Sequence, residues 1–287
     1  MYDFQIITDS ACDLPMAKMT EWNIHSAPLT LNLRGQTRDD SVSAGIEALY
    51  ADLRAGEVAT TSAVNPAHWE QIMDLYLEQG KDILAIAFSS GLSTTYQSAV
   101  IAAEDLKEKY PQRKIIVVDS LSASLGEGLL VRYACKKRDE GATLEETAQW
   151  LEDNKLHLCH WFTVDDLMYL KRGGRVSATT ALVGTMLKIK PVMHMDNAGH
   201  LINMAKARGR KASIEALANK VAELGEGYDN STMFICHGDC LEDAQYLEKL
   251  LREKYDVKEV LIGYTGAVIG SHSGPGTLAL FFMGKER

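Results

Sequence analysis

The sequence is poor in aromatic residues and has no long apolar run. Aromatic side chains make up 7% of its 287 residues although 46% are hydrophobic, so the apolar content is mainly aliphatic, with 11 methionines. No window reaches the roughly 18 uninterrupted apolar residues that a transmembrane helix needs. The sequence therefore predicts no membrane span, and it contains enough apolar material for a sizeable core.

An excess of positive charge is also absent. Lys and Arg total 30 against 39 Asp and Glu, which gives a formal net charge of −9 at pH 7. This balance argues against nucleic acid or an anionic membrane surface as a partner. Any anionic ligand must therefore be held by local groups.

The cysteines do not form the pattern of a disulfide framework. There are five of them, an odd number spread along a long chain, and the first residues carry Asp3 with no basic segment of a signal peptide. Both features favour a cytoplasmic protein. Two segments combine His and Cys, but Cys159 and Cys236 lie in apolar strands, where cysteine acts as a small hydrophobic residue. We therefore predict no metal site and no cofactor.

In the first half of the sequence, apolar strands alternate with amphipathic helices. Continuously apolar strands separated by helices are typical of a parallel sheet that is covered on both faces. The predicted strands are residues 2–8, 29–33, 83–88 and 115–118, and the predicted helices are residues 40–54, 68–79 and 93–110.

The second half has longer, alternating strands. The predicted strands are residues 156–164, 189–195, 232–237 and 259–264, and the predicted helices are residues 143–154, 213–224 and 241–254. We predict an α/β fold of two domains: an amino-terminal doubly wound, mainly parallel sheet at residues 1–157 and a carboxyl-terminal mixed α/β domain at residues 158–287, with a cleft between them.

Hydroxyl and carboxyl side chains follow three of the predicted strands. Asp9-Ser10, the loop of residues 89–95 and Asp119-Ser120 should meet at one sheet edge, where ligands bind in doubly wound folds. The middle loop places five hydroxyls around Gly91 and leads into a helix, whose amino terminus suits a carboxylate or phosphate. Helix capping explains some of these hydroxyls but not their number.

Familiar catalytic motifs are missing from these loops. Residues 89–95 contain neither of the common nucleotide-binding glycine patterns, and SSGLS lacks the G-x-S-x-G turn of serine hydrolases. The sequence also has two basic segments, residues 171–175 and 206–211, and a histidine, His272, among small residues. These side chains are either exposed to solvent or face an anionic ligand. The residues alone leave both interpretations open.

Six motifs in order resemble the DegV family of bacterial fatty-acid-binding proteins, over about residues 3 to 282. These motifs are ITDSACDLP, TTSAVNP, AFSSGLSTTYQSA, VVDSLSAS, VDDLMYLKRGGRVS and IGSHSGPGTLAL. The resemblance implies a carrier without chemistry of its own. It would enclose one long-chain fatty acid, such as palmitate or oleate, in an internal tunnel with the carboxyl group near the domain interface.

The resemblance also implies which residues bind the ligand. Thr61 and Ser93 would hold the carboxylate, and Arg175, Arg208 and His272 would form the supporting network. Some family members present the carboxylate to a separate fatty acid kinase, which makes such a kinase a candidate partner. The sequence departs from the family at positions 94 and 63–64, where Gly and Gln-Pro are frequent, but both key hydroxyls are present.

Two other functions remain open. An enzyme acting on an acyl or phosphorylated small molecule would use Asp9, Asp119 or His272 as acid or base, since these residues follow strands or lie among small residues. A protein-interaction module would use the basic segments, including Arg172, as its docking surface.

Overall fold

A computed structural model describes residues 3–40, 45–177 and 189–287. The strands are β1 (Phe4–Asp9), β2 (Ile24–Ala27), β3 (Thr30–Leu33), β4 (Gln36–Asp39), β5 (Thr60–Ser62), β6 (Asp82–Ala87), β7 (Ile115–Asp119), β8 (Leu158–Thr163), β9 (Ile189–Met195), β10 (Leu201–Arg208), β11 (Thr232–His237), β12 (Glu259–Tyr264) and β13 (Leu278–Met283). The helices are α1 (Met16–Glu21), α2 (Ile46–Arg54), α3 (Pro66–Leu77), α4 (Thr95–Lys109), α5 (Leu125–Asp139), α6 (Leu144–Asn154), α7 (Leu167–Arg172), α8 (Arg210–Leu224), α9 (Leu241–Lys254) and α10 (Ala267–Ser273). None of these helices is long and apolar enough to cross a membrane.

The first sheet is parallel and has the order β2-β1-β6-β7. Its strands are apolar throughout because both faces are covered: Leu84 and Ile86 of β6 pack toward α5 and α6, whereas Ile83 and Ala85 pack toward α3 and α4. The sheet therefore has the doubly wound, parallel form that the continuous apolar runs predicted.

The second sheet is mixed and has the order β10-β9-β8-β13-β11-β12. Within this sheet, β11 and β12 are the only parallel neighbours among the described strands, and the other neighbouring strands are antiparallel. Helices α8 and α9 cover one face, and α5 packs against the other while also contacting β1 and β6. Helix α5 is thus a shared layer between the two sheets, and the α/β fold class is confirmed.

A third, small sheet of order β4-β3-β5 packs with α2 and α10. Its core contains Leu31, Leu49 and Tyr50 together with Ala267 from α10, and the Tyr50 hydroxyl donates to the Thr265 carbonyl at 2.7 Å. Chain segments from both halves of the sequence therefore share this core. The predicted domain boundary between residues 157 and 158 separates the strands of the two large sheets, but one buried cluster contains residues from both sides of it. The two-domain division stays a prediction.

Nine of the elements in the described residues were missing from the sequence prediction, including the short elements α1, β2, β4, β5 and α7. Helix α5 was not predicted because residues 125–131 are all buried and include two glycines, so its first half lacks a polar face. Strands β10 and β13 and helix α10 were also missed. Strand β10 is mostly exposed and carries basic residues, whereas β13 is continuously apolar and occupies the middle of the second sheet.

Candidate ligand-binding site

An interior cavity of about 470 Å³ lies between the carboxyl edge of the first sheet and one face of the second. This volume is in the range of roughly 300–1,000 Å³ that is typical of small-ligand sites. Most of its lining is apolar: Leu29, Ala63, Phe88, Leu92, Ala123, Phe162, Leu170, Met195, Leu201, Val268, Ile269, Ala279 and Phe281. Arg175 is the one charged side chain among the described lining residues, apart from the titratable imidazoles.

The three predicted loops meet at the edge of the first sheet, where two carboxylates hold them. Asp9 accepts from the amides of Phe88, at 2.8 Å, and Ala11, at 3.0 Å. Asp119 accepts from the Ser90 amide at 3.1 Å. Neither carboxylate lines the cavity, and each accepts hydrogen bonds from main-chain amides of the loops.

The hydroxyls of the middle loop divide into two groups. Ser89 is buried and donates to the carbonyl of Gly199 at 3.1 Å, which fixes the loop against the β9–β10 turn. Ser90, Ser93 and Thr94 line the cavity. The Ser93 hydroxyl lies 2.8 Å from that of Thr95 and accepts from the Thr95 amide at 3.2 Å. Ser93 therefore lies two residues before α4, is hydrogen-bonded to the first residue of that helix, and also faces the ligand space.

Thr61 and His272 meet at the cavity although 211 positions separate them in sequence. Thr61 lies on strand β5 and His272 lies on helix α10. The distance between Thr61 Oγ1 and His272 Nε2 is 2.7 Å, which is a hydrogen bond. A Cβ at Gly173 would lie only 2.4 Å from His272 Nδ1, so the end of α7 can approach the ring only with glycine at that position. Burial and the nearby Arg175 charge lower the pKa of His272 to about 4, and the imidazole is neutral at pH 7.

Arg175 brings a cation to the same region. Its guanidinium donates to the Leu92 carbonyl at 3.0 Å and to the carbonyl of Gly173. The first contact joins the segment after α7 to the hydroxyl-rich loop. Burial lowers the pKa of Arg175, because desolvation disfavours its charged form.

Arg208 is placed differently from the other predicted site residues. It is exposed at the end of β10, opposite Ile189, and it is not among the described residues that line the cavity. The structure thus brings Thr61, Ser93, Arg175 and His272 to one cavity and leaves Arg208 outside it. Arg208 was assigned to the binding network because of its position in a motif. A motif does not show in which direction an edge strand such as β10 runs, so it could not show that Arg208 lies outside the cavity.

Several polar lining residues were not assigned to the ligand site from the sequence: Ser124, His160, Cys236, Thr265, Ser273 and Thr277. Three of them carried a signal, since Ser124 belongs to the VVDSLSAS motif and both Ser273 and Thr277 belong to IGSHSGPGTLAL. His160 on β8 and Cys236 on β11 alternate with residues that face the opposite side of the second sheet. The sequence does not show which side of this sheet faces the cavity, so these two residues could not be assigned to it.

Four carboxyl groups are buried beneath the ligand loops, which the sequence did not predict: Asp9, Asp13, Asp40 and Glu127. Burial raises the pKa of Asp9 to about 7 and that of Asp40 to about 6. It also raises the pKa values of Asp13 and Glu127 well above their usual range. In the described part of the chain, no group of three or more His, Cys, Asp or Glu side chains is arranged to hold a metal ion.

Comparison with known proteins identifies the family. The family model for uncharacterised proteins of the DegV family matches residues 3–285. A DegV domain-containing protein from Clostridium perfringens is 46% identical, over 100% of this chain and 99% of that protein. The chain belongs to the DegV family. A second relative, from Lactococcus lactis, is 35% identical over 99% of this chain and 98% of its own length.

Solved structures of DegV proteins share the fold. A DegV lipid-binding protein from Thermotoga maritima superposes with a TM-score of 0.86 and is 32% identical, covering 99% of each chain. A DegV family protein from Thermus thermophilus, whose structure concerns fatty acid binding, gives a TM-score of 0.88 at 30% identity, covering 99% of this chain and 100% of that one. DegV of Bacillus subtilis, a fatty acid binding protein, gives 0.83 at 28% identity, covering 99% and 100%.

Proposed function

We propose that this DegV chain binds one long-chain fatty acid, such as palmitate or oleate, with the acyl chain in the cavity and the carboxylate at Thr61 and Ser93. One observation carries the proposal: a mainly apolar cavity reaches a cluster of hydroxyls and one guanidinium, and no carboxylate of a described residue lines it. The relatives from Thermus thermophilus and Bacillus subtilis, which bind fatty acid, support it.

The apolar part of the ligand supplies most of the binding free energy. Burying about fourteen methylenes at about 0.8 kcal/mol each contributes on the order of 11 kcal/mol before the cost of immobilising the ligand. That cost takes several kcal/mol, so an affinity tighter than micromolar needs no covalent bond.

The carboxyl group needs donors, because an unpaired buried carboxylate is very unfavourable. Thr61 can donate to it while accepting from His272, whose ring remains neutral at pH 7. Ser93 supplies a second hydroxyl at the start of α4, where the helix dipole favours an anion. Arg175 supports the ionised form by its charge, and its hydrogen bond to the Leu92 carbonyl satisfies an acceptor that would otherwise compete for donors.

Presentation to a separate kinase is part of the proposal. Ser62 and Thr94 line the cavity beside Thr61 and Ser93, and both are exposed, so this end of the cavity reaches solvent. A kinase could reach a carboxylate held there without removing the acyl chain. We place the carrier in the cytoplasm, as the cysteine pattern predicts.

The test begins with the protein as purified from bacteria, denatured and extracted for mass spectrometry. We expect a stoichiometric long-chain fatty acid. After delipidation, the variant Thr61→Ala with Ser93→Ala should bind palmitate and oleate at least tenfold more weakly, because two carboxylate donors are lost. The matched control is Thr60→Ala with Ser98→Ala, two nearby hydroxyls outside the lining, which should leave affinity unchanged.

Absence of fatty acid from the extract, together with no binding of added palmitate or oleate, would overturn the proposal. Unchanged affinity in the Thr61 and Ser93 variant would overturn the carboxylate site alone. The same preparations test the kinase step: with ATP, acyl phosphate should form only when a bacterial fatty acid kinase is added.

A further inference from the structure

Arg287 is buried, with 6% of its surface exposed, and its guanidinium binds three chain segments. Its Nε donates to the Leu158 carbonyl at 3.3 Å, and Nη1 donates to the Asp196 carbonyl at 3.3 Å. Nη2 donates to the Leu121 carbonyl and, at 3.1 Å, to Ser122 Oγ. Two of these segments, the β9–β10 turn and the loop between β7 and α5, also contact the hydroxyl-rich middle loop.

Ser89 is the residue of the middle loop that meets both segments. Its amide donates to the Ser122 carbonyl at 3.0 Å, and its hydroxyl donates to the Gly199 carbonyl at 3.1 Å. A Cβ at Gly199 would lie 2.1 Å from Ser89 Oγ, so the turn can approach the loop this closely only with glycine. The Asp196 carbonyl that accepts from Arg287 also accepts from the Gly199 amide at 2.9 Å. A chain of three hydrogen bonds therefore links Arg287 to Ser89 through the turn.

Ser89 in turn fixes the backbone at Ser93. The Ser89 carbonyl accepts from the amides of Leu92, at 3.0 Å, and Ser93, at 3.1 Å, and its hydroxyl accepts from the Gly91 amide at 3.2 Å. Ser93 lines the cavity, whereas Ser89 and Arg287 are not among the described residues that line it. The position of the Ser93 hydroxyl therefore depends on where Ser89 is held.

Leu121 shows that the loop between β7 and α5 is constrained from outside. Its φ is 47°, in the left-handed region that a residue with a side chain seldom adopts. Backbone strain of this kind persists only where the surrounding structure fixes it. The Arg287 contact with the Leu121 carbonyl and the 3.1 Å bond from the Leu121 amide to Asp119 supply this constraint. Asp119 also accepts from the Ser90 amide at 3.1 Å, so the strained residue is tied to the middle loop as well.

We propose that Arg287 is a positioning residue of the carboxylate site: it holds the two segments against which Ser89 folds the middle loop, and it thereby fixes where Ser93 presents its hydroxyl. This inference rests on the proposed function. A guanidinium has five donors in a rigid planar fork, which suits it to joining several carbonyls at once. Burial lowers the pKa of Arg287 to about 10, and the group is protonated at neutral pH. Without this shared partner, the two segments should hold the loop less firmly, and Ser93 should be less well placed for the ligand carboxylate.

The experiment is a double-mutant cycle on delipidated protein, with palmitate affinity measured by displacement of a fluorescent fatty acid. Arg287→Ala should weaken palmitate binding about fivefold in the natural chain, because a misplaced hydroxyl makes a poor hydrogen bond with a carboxylate. In the Ser93→Ala chain, the same change should alter the affinity by less than about twofold, since the hydroxyl that Arg287 places is already absent. A merely structural role would leave the two losses of affinity additive.

Arg138→Ala is the matched control and should leave palmitate affinity unchanged. Arg138 is 4% exposed and donates at 2.8 Å to the Trp22 carbonyl, away from the cavity. Arg287→Lys keeps the positive charge but lacks the planar fork, and we expect it to bind palmitate more weakly than the natural chain does. If Arg287→Ala does not fold, Ser89→Ala, which removes the hydroxyl that binds the β9–β10 turn, should show the same dependence on Ser93.

Unchanged palmitate affinity in Arg287→Ala would overturn the inference, and so would equal losses on this change in the natural chain and in the Ser93→Ala chain. Full affinity in Arg287→Lys would assign the effect to charge alone and would overturn it too, as would an equal loss in Arg138→Ala. A natural chain that binds no palmitate is a different result, because it overturns the proposed function and this inference together.

Discussion

At the scale of single residues, buried carboxyl groups distinguish this protein. Asp40 is 4% exposed and accepts from the Ser10 hydroxyl at 2.9 Å. Burial raises its pKa to about 6, although Ser10 and the amides of Val268 and Ala267 act in the opposite direction. The native state therefore holds a proton on Asp40 between about pH 4 and pH 6 that the unfolded chain has already released.

This difference in protonation predicts how stability depends on pH. The contribution of Asp40 to the free energy of unfolding is complete below pH 4. It is lost as the pH rises to 6, because the native state must then carry a buried charge. Relative to Asp40→Asn, the natural chain should lose up to about 3 kcal/mol of unfolding free energy across this interval. Urea unfolding at pH 4, 5, 6 and 7 measures it.

Asp39→Asn, at an exposed position, is the matched control. Its free energy of unfolding should differ from that of the natural chain by the same amount at every pH. Because His272 titrates in all three proteins, its effect cancels in the comparison. Parallel curves for the natural chain and Asp40→Asn would contradict the assigned pKa.

At the scale of elements, α5 is packed so tightly that two of its positions require glycine. A Cβ at Gly126 would lie 2.2 Å from His160 Nε2 and 2.7 Å from the Phe281 ring, and one at Gly128 would lie 2.8 Å from the Cys12 carbonyl oxygen. The helix can lie between the two sheets only because these positions have no side chain. Its sequence, LGEGLLVRYACKKRD, has weak helix formers at the start for this reason.

Gly126→Ala should therefore destabilise the protein. Alanine favours helix by about 1 kcal/mol over glycine, but forcing His160 and Phe281 apart costs about 1–3 kcal/mol, and we expect the packing term to be the larger. Chemical denaturation measures the net loss of unfolding free energy. Lys136→Ala on the exposed side of α5 serves as the control and should stay within about 0.5 kcal/mol of the natural chain. A more stable Gly126→Ala protein would show that α5 is packed more loosely.

At the scale of the whole molecule, the two large sheets share a core. One buried cluster contains Leu84 of the first sheet, Leu130 of α5, and Phe234 and Phe281 of the second sheet. Tyr50 and Ala267 join the small sheet to α10 in the same way. Unfolding one half would expose apolar surface of the other, so we expect the halves to unfold together.

Two buried tryptophans report on the two halves. Trp69 belongs to α3 and lies in the core between that helix and the first sheet, and Trp161 lies in the core of the second sheet. In two variants that each retain one of them, with the remaining tryptophans changed to phenylalanine, guanidinium unfolding should have the same midpoint by fluorescence and by circular dichroism. Midpoints that differ between the two probes would show that the halves unfold separately.

Much of the fold was readable from local pattern. The runs at residues 83–88 and 115–118 predicted the parallel sheet because strands buried on both faces are apolar throughout, and the capping box of Thr143 and Glu146 marked the start of α6. Helix α5 and strand β13 were not readable. All residues of β13 and the first seven residues of α5 are buried, so neither segment shows the polar face from which periodicity is recognised.

By itself, the sequence determined the alternation of strands and helices, the hydroxyl-rich loops at the strand ends and, through six motifs, the family. Only the tertiary structure decided which side chains share the cavity. It joined Thr61 to His272 across 211 positions and left Arg208 at an exposed strand end. The physical reason is that local pattern records how each segment is buried, whereas the contacts between distant segments depend on how the two sheets pack around α5.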